Sequence, residues 1–125
     1  MWIWEIYLKE DREDIRQTWG RPTMLGVNTR LVFLLGEPHN PPDQDLLVSE
    51  SAKYGDIIQG SFLDSYQNLT YKNIMGKVWV SEFCSQAEFV IKTDDDTYID
   101  LYSVYFVTRK YLNTEVMITL PCILN

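Results

Sequence analysis

The apolar and polar positions of this chain alternate between helical and strand-like periods, which sets out an ordered series of elements. Asp11 to Trp19 predicts a short amphipathic helix. Ile15 and Trp19 fall four apart, Arg12 and Arg16 lie one turn apart on a neighbouring face, and Gly20-Arg21-Pro22 ends it. Arg30 to Leu35 predicts a central strand from its unbroken apolar run, followed by a loop through Gly36-Glu37-Pro38 and Asn40-Pro41-Pro42. The next helix is capped by Asp43 or Asp45, turns Leu46, Leu47 and Tyr54 inward, and closes at Gly55 before a second strand at Asp56-Ile57-Ile58.

Gly60 to Ser65 reads as a loop anchored by Phe62. From about Leu69 to Phe83 a longer helix is predicted, with Tyr71, Met75, Val78, Trp79 and Phe83 as its buried stripe. Ala87 to Ile91 reads as a buried strand, Asp100 as the cap of a helix through Tyr111, and Val116 to Leu120 as a final strand. The sequence of elements is that of an α/β fold with a mostly parallel sheet flanked by helices.

Length and composition fit one modest core. The chain has 125 residues, 46% apolar and 14% aromatic, so a single globular domain, or part of one, is expected. A net charge of −7 argues against nucleic acid and anionic membrane surfaces as partners, because both need a basic footprint. An anionic ligand such as a nucleotide then needs a metal or local Lys and Arg. No apolar run approaches the ~20 residues of a spanning helix, and no signal peptide is recognisable. Cys84 and Cys122 match neither a zinc spacing nor a redox pair, which leaves a disulfide and two buried thiols both open.

The chemistry concentrates at Asp94-Asp95-Asp96, which follow the apolar run Ala87 to Ile91 through Lys92 and Thr93. Three adjacent carboxylates repel one another, and delivering them to the end of a core strand implies a cation. Hard oxygen donors favour Mn²⁺ or Mg²⁺. In extended chain Asp94 and Asp96 face one way and Asp95 the other, so the outer pair can hold one ion while the middle carboxylate accepts hydrogen bonds, for example from a ribose hydroxyl. The chemistry that calls for this is departure of a phosphate or diphosphate. A solvated acidic loop is the competing reading. An EF-hand fits poorly, since Ile99 stands where its glycine belongs. Arg12, Arg16, Lys72 and Lys92 are candidate phosphate partners, with Lys92 nearest the acidic site in sequence. His39 and Trp79 read as a solvated loop residue and a core residue.

Several blocks carry a family likeness in order and spacing: Arg12-x-x-Ile15-Arg16-x-Thr18-Trp19-Gly20, Val32-Phe33-Leu34-Leu35-Gly36, Tyr54-Gly55-Asp56-Ile57-Ile58-Gln59, Phe62-x-Asp64-Ser65-Tyr66-x-Asn68-Leu69-Thr70-x-Lys72, and Phe89-Val90-x-Lys92-Thr93-Asp94-Asp95-Asp96. Over roughly residues 12 to 100 the chain resembles the β-1,3-galactosyltransferase and β-1,3-N-acetylglucosaminyltransferase family, of the GT-A type. Residues 101 to 125 diverge. The resemblance implies a partial GT-A (Rossmann-like) fold, a UDP-galactose or UDP-N-acetylglucosamine donor, and Mn²⁺ (or Mg²⁺) at the aspartate motif. It also implies inverting transfer to the 3-hydroxyl of an acceptor glycan on a glycoprotein or glycolipid.

Carried over by position, Asp94 and Asp96 would hold the metal, with Asp95, Lys92, Arg12, Arg16 and Lys72 toward the nucleotide sugar. Such proteins are usually anchored in the Golgi membrane with the domain in the lumen, which makes Asn68 of Asn68-Leu69-Thr70 a glycosylation site. Met1 to Leu8 only loosely replaces the family's first strand, and Tyr71 and Asn73 depart from its usual residues beside Lys72. No residue here matches the family's acidic general base, so no catalytic residue is assigned. The chain is expected to be the donor half of such an enzyme, alone an incomplete domain. The alternatives are a UDP- and metal-binding fragment without turnover and, from another class, a Mg²⁺-dependent phosphoryl-transfer domain.

Overall fold

The computed structural model describes residues 9–20, 30–87, 90–94 and 97–111. Their elements run α1 (Lys9–Gln17), β1 (Phe33–Glu37), α2 (Pro41–Tyr54), β2 (Ile57–Leu63), α3 (Leu69–Phe83) and α4 (Leu101–Tyr111), with a 3-10 turn at Tyr66–Asn68 leading into α3. The chain divides into two compact units. One comprises Met1–Lys9 and Val32–Ser85, the other Glu10–Leu31 and Gln86–Asn125.

In the first unit β1 and β2 pair in parallel, in the register Phe33↔Ile57, Leu34↔Ile58 and Leu35↔Gln59. Parallel neighbours need a crossover, and α2 supplies it, so the expected α/β layering is present. The α2 helix starts earlier than its aspartates suggested. Asn40 occupies the cap, and two prolines fill the first turn, where their missing N–H groups have no intrahelical acceptor to lose. Asp43 lies one turn in, accepting from the Asn40 side-chain amide at 3.2 Å. The helix ends as expected on Gly55, at φ 66°, whose N–H reaches the Ser51 carbonyl at 2.8 Å. Leu47 is buried, whereas Leu46, expected inward, is exposed.

The segment read as a loop from Gly60 is strand. β2 runs to Leu63 because the ladder passes through an irregularity, with Leu35 opposite Gln59 but Glu37 opposite Leu63. Gly36 sits at this break. A Cβ there would lie 2.5 Å from the Phe62 carbonyl oxygen and 2.8 Å from the Asp64 nitrogen, so only glycine lets the two strands approach this closely.

The α3 helix keeps its predicted bounds, and of its predicted stripe Met75 and Trp79 are half-buried, but its most buried positions lie elsewhere. Tyr71, Val78 and Phe83 are exposed, and the buried positions are Lys72 and Gly76. The reason lies at Gly76, where a Cβ would come within 2.5 Å of Leu34 Cδ1. The helix therefore lies against β1 on its smallest residue instead of its large apolar stripe.

In the second unit α1 buries Ile15, as predicted, together with Arg12; the helix ends at Gln17, and Trp19, expected within it, is buried in the turn that follows. Ile91 is buried and forms a single β-bridge, short of the strand expected at Ala87 to Ile91; Glu88 and Phe89 lie outside the described residues. The α4 helix begins on Asp100, whose Oδ1 accepts from the Tyr102 and Ser103 N–H groups, each at 3.1 Å. The expected strand at Val116 to Leu120 lies outside the described residues. Among those described, no helix is long and apolar enough to cross a membrane.

Candidate functional site

The second unit carries the start of the acidic motif. Ile91 is buried, Lys92 beside it is exposed, and Thr93 and Asp94 are half-buried. Lys92 Nζ lies 3.8 Å from Asp94 Oδ1, with both side chains partly exposed, a loose pairing that water screens. Thr93 Oγ1 donates to the Asp94 carbonyl at 3.2 Å, and the Thr97 N–H donates to the same oxygen at 3.3 Å. Asp95 and Asp96 lie outside the described residues. No group of three or more metal-ligating side chains is gathered among the residues that are described.

What Asp94 contributes is a hard oxygen donor that is neither buried nor held by a strong ion pair, which suits a share in a divalent site. Three residues beyond Thr97, Asp100 fixes the start of α4. Its Oδ2 accepts from Ser103 Oγ at 2.6 Å. Chiefly this bond, and next the Ser103 N–H, hold the Asp100 carboxyl below its ordinary value of 3.8.

Arg12 and Arg16 stand one turn apart on α1, as predicted. Arg12 is buried, and Arg16 Nη1 lies 3.7 Å from Glu13 Oε2 on the same helix.

Lys72 and Asn68 belong to the first unit. The Lys72 ammonium is buried against Asp64, Nζ to Oδ1 at 2.6 Å, with the two side chains only 8% and 2% exposed. Asp64 Oδ2 accepts the Gly36 N–H at 2.8 Å. The acid that receives Lys72 was missed by sequence reasoning, where Asp64 counted only as part of a motif. Its signal was a carboxylate at the end of a strand eight residues before a helical lysine. Asn68 precedes α3, and its Nδ2 donates to the Leu63 carbonyl at 2.8 Å. Cys84 is buried and disulfide-bonded, which decides for it between thiol and disulfide; Cys122 lies outside the described residues.

A family model described as galactosyltransferase matches residues 10–122, nearly the whole chain. The chain belongs to the galactosyltransferase family. Among curated relatives of this family, it is 47% identical over 107 residues to human beta-1,3-galactosyltransferase 5, an alignment covering 84% of this chain and 34% of that protein. Against rat beta-1,3-galactosyltransferase 4 it is 45% identical over 91 residues, covering 72% and 24%. Against mouse beta-1,3-galactosyltransferase 1 it is 40% identical over 100 residues, covering 79% and 31%. The chain thus spans between about a quarter and a third of the length of these family members.

Proposed function

We propose that the chain is the donor-binding portion of a metal-dependent, inverting β-1,3-glycosyltransferase. Galactose is the preferred sugar, because the relatives are beta-1,3-galactosyltransferases; UDP-N-acetylglucosamine is the second donor class. The acceptor would be a glycan 3-hydroxyl. The observation that carries this reading is the half-buried Asp94, which leads the three-aspartate run three residues after buried Ile91, in a chain of this family.

Asp94 and Asp96 would hold Mn²⁺ (or Mg²⁺), with Asp95 toward the nucleotide. When bound, the ion would neutralise charge on the departing diphosphate. The chain's own residues do the rest of the donor work: Lys92 adds positive charge beside the motif, and Arg12 and Arg16 offer guanidinium groups for phosphate oxygens. Buried Ile91 and the Asp100 cap brace the motif from either side. No carboxylate here is assigned the proton from the attacking hydroxyl. The second reading is a UDP- and metal-binding fragment without turnover, and an assay of sugar transfer beside UDP binding separates the two. The disulfide at Cys84 supports a lumenal setting such as the Golgi.

Calorimetry of UDP with Mn²⁺ on the chain and on Asp96→Ala tests the site. Loss of Mn²⁺-dependent UDP binding in the variant is expected, by at least tenfold. Equal affinity in both proteins would refute the assignment.

A further inference from the structure

At the β1–β2 irregularity the backbone of Gly36 loses its regular ladder partners, and two side chains replace them. Asp64 Oδ2 accepts the Gly36 N–H at 2.8 Å, while Gln59 Nε2 donates to the Gly36 carbonyl at 3.0 Å. The ladder resumes immediately afterwards, as the Asp64 N–H donates to the Glu37 carbonyl at 2.8 Å. A carboxylate as deeply buried as Asp64 needs a counter-charge, and Lys72 from the first turn of α3 supplies it at 2.6 Å. One carboxylate thereby joins the ends of both strands to a helix.

We propose that Asp64 and Lys72 form a buried pin that holds the carboxyl edge of the sheet together, and that Lys72 is a positioning residue there and not a ligand of the donor's phosphates. For Lys72 to meet a phosphate, its ammonium would have to leave Asp64 behind as an uncompensated buried anion. Asp64 in turn cannot be released without orphaning the Gly36 N–H. The inference rests on the proposed function only for its binding readout.

Three variants decide it: Asp64→Asn, Lys72→Gln and the two combined. Asp64→Asn keeps an amide oxygen for the Gly36 N–H, and with Lys72→Gln it can form a neutral amide pair. Each single change is expected to lower the urea midpoint and to speed hydrogen exchange at the Gly36 amide at least tenfold. The double variant should recover at least half of the lost midpoint and bind Mn²⁺–UDP within threefold of the parent chain. A double variant that regains stability yet loses UDP affinity tenfold or more would make Lys72 a ligand and overturn the proposal.

Should the single variants not fold, the parent chain still tests it, because the Gly36 amide must be among the slowly exchanging protons. Rapid exchange there would also overturn the pin. If the parent chain fails to bind UDP, the functional reading falls while the midpoints and Gly36 exchange still judge the pin.

Discussion

At the scale of single residues, the polar groups of this chain differ in how far sequence reveals them. Asp100 was legible as a cap because capping is local, set by an acid immediately before a helical period. Asp64 was not, since its partners Gly36 and Lys72 lie 28 and 8 residues away and only the folded sheet brings them together. The Asp100 cap carries a pH prediction. Its carboxyl is held below the ordinary 3.8 by the Ser103 hydroxyl first and the Ser103 N–H next. Because the folded value is the lower one, the stabilisation is complete above the unfolded value and is lost as pH falls through the folded value. Carbon-detected titration should therefore place the Asp100 midpoint below 3.8. Asp100→Asn, which keeps a capping oxygen without a titrating group, should lose less helical signal through the same acid range. A midpoint at or above the ordinary value would contradict the hydrogen-bond assignment.

At the scale of elements, bounds were more legible than faces. The extent of α3 follows from local periodicity and came out as predicted, but its inward face is chosen by the neighbour it meets, and that neighbour is Leu34 against Gly76. The end of β2 was hidden for a related reason: an irregular ladder tolerates Gly60 and Ser61, which by composition read as loop. Two glycines of this sheet and helix should respond differently to alanine. At Gly36 the obstacles are the Phe62 carbonyl and the Asp64 nitrogen, which are backbone and cannot step aside. Gly36→Ala should therefore cost about 1–3 kcal/mol or more by overpacking. At Gly76 the nearest obstacle is the tip of the Leu34 side chain, which can change rotamer, and alanine gains ~1 kcal/mol of helix propensity. Gly76→Ala should shift the urea midpoint much less than Gly36→Ala. The reverse order would show that the strand approach at Gly36 is looser than its distances imply.

For the whole molecule, family and fold class were legible because they rest on many short blocks in fixed order, which the match over residues 10–122 bears out. Of the aspartate run, Asp94 stands three residues after buried Ile91 as its block predicts, and Asp95 and Asp96 lie outside the described residues. A compartment prediction belongs at this scale. Directed through the secretory route, the chain should gain one endoglycosidase-sensitive glycan that Asn68→Gln abolishes, since Asn68-Leu69-Thr70 is the single acceptor sequence in the chain. An unmodified product would remove Asn68 as a glycosylation site. The Asn68 amide donates to Leu63 in the finished fold, so attachment is expected before that bond closes.

The uneven strand pairing sets a counting rule for sequence change. Between Leu35 and Glu37 one strand advances two positions while the other advances four, from Gln59 to Leu63. The surplus is even, so inward and outward parity crosses the detour unaltered, and Asp64 arrives on the same side as Ile58 and Phe62. A lone insertion or deletion in that stretch would turn the acid to the opposite face of the strand, whereas a change of two residues taken up in the detour would keep it on its own face. Length variation here is tolerable only in pairs.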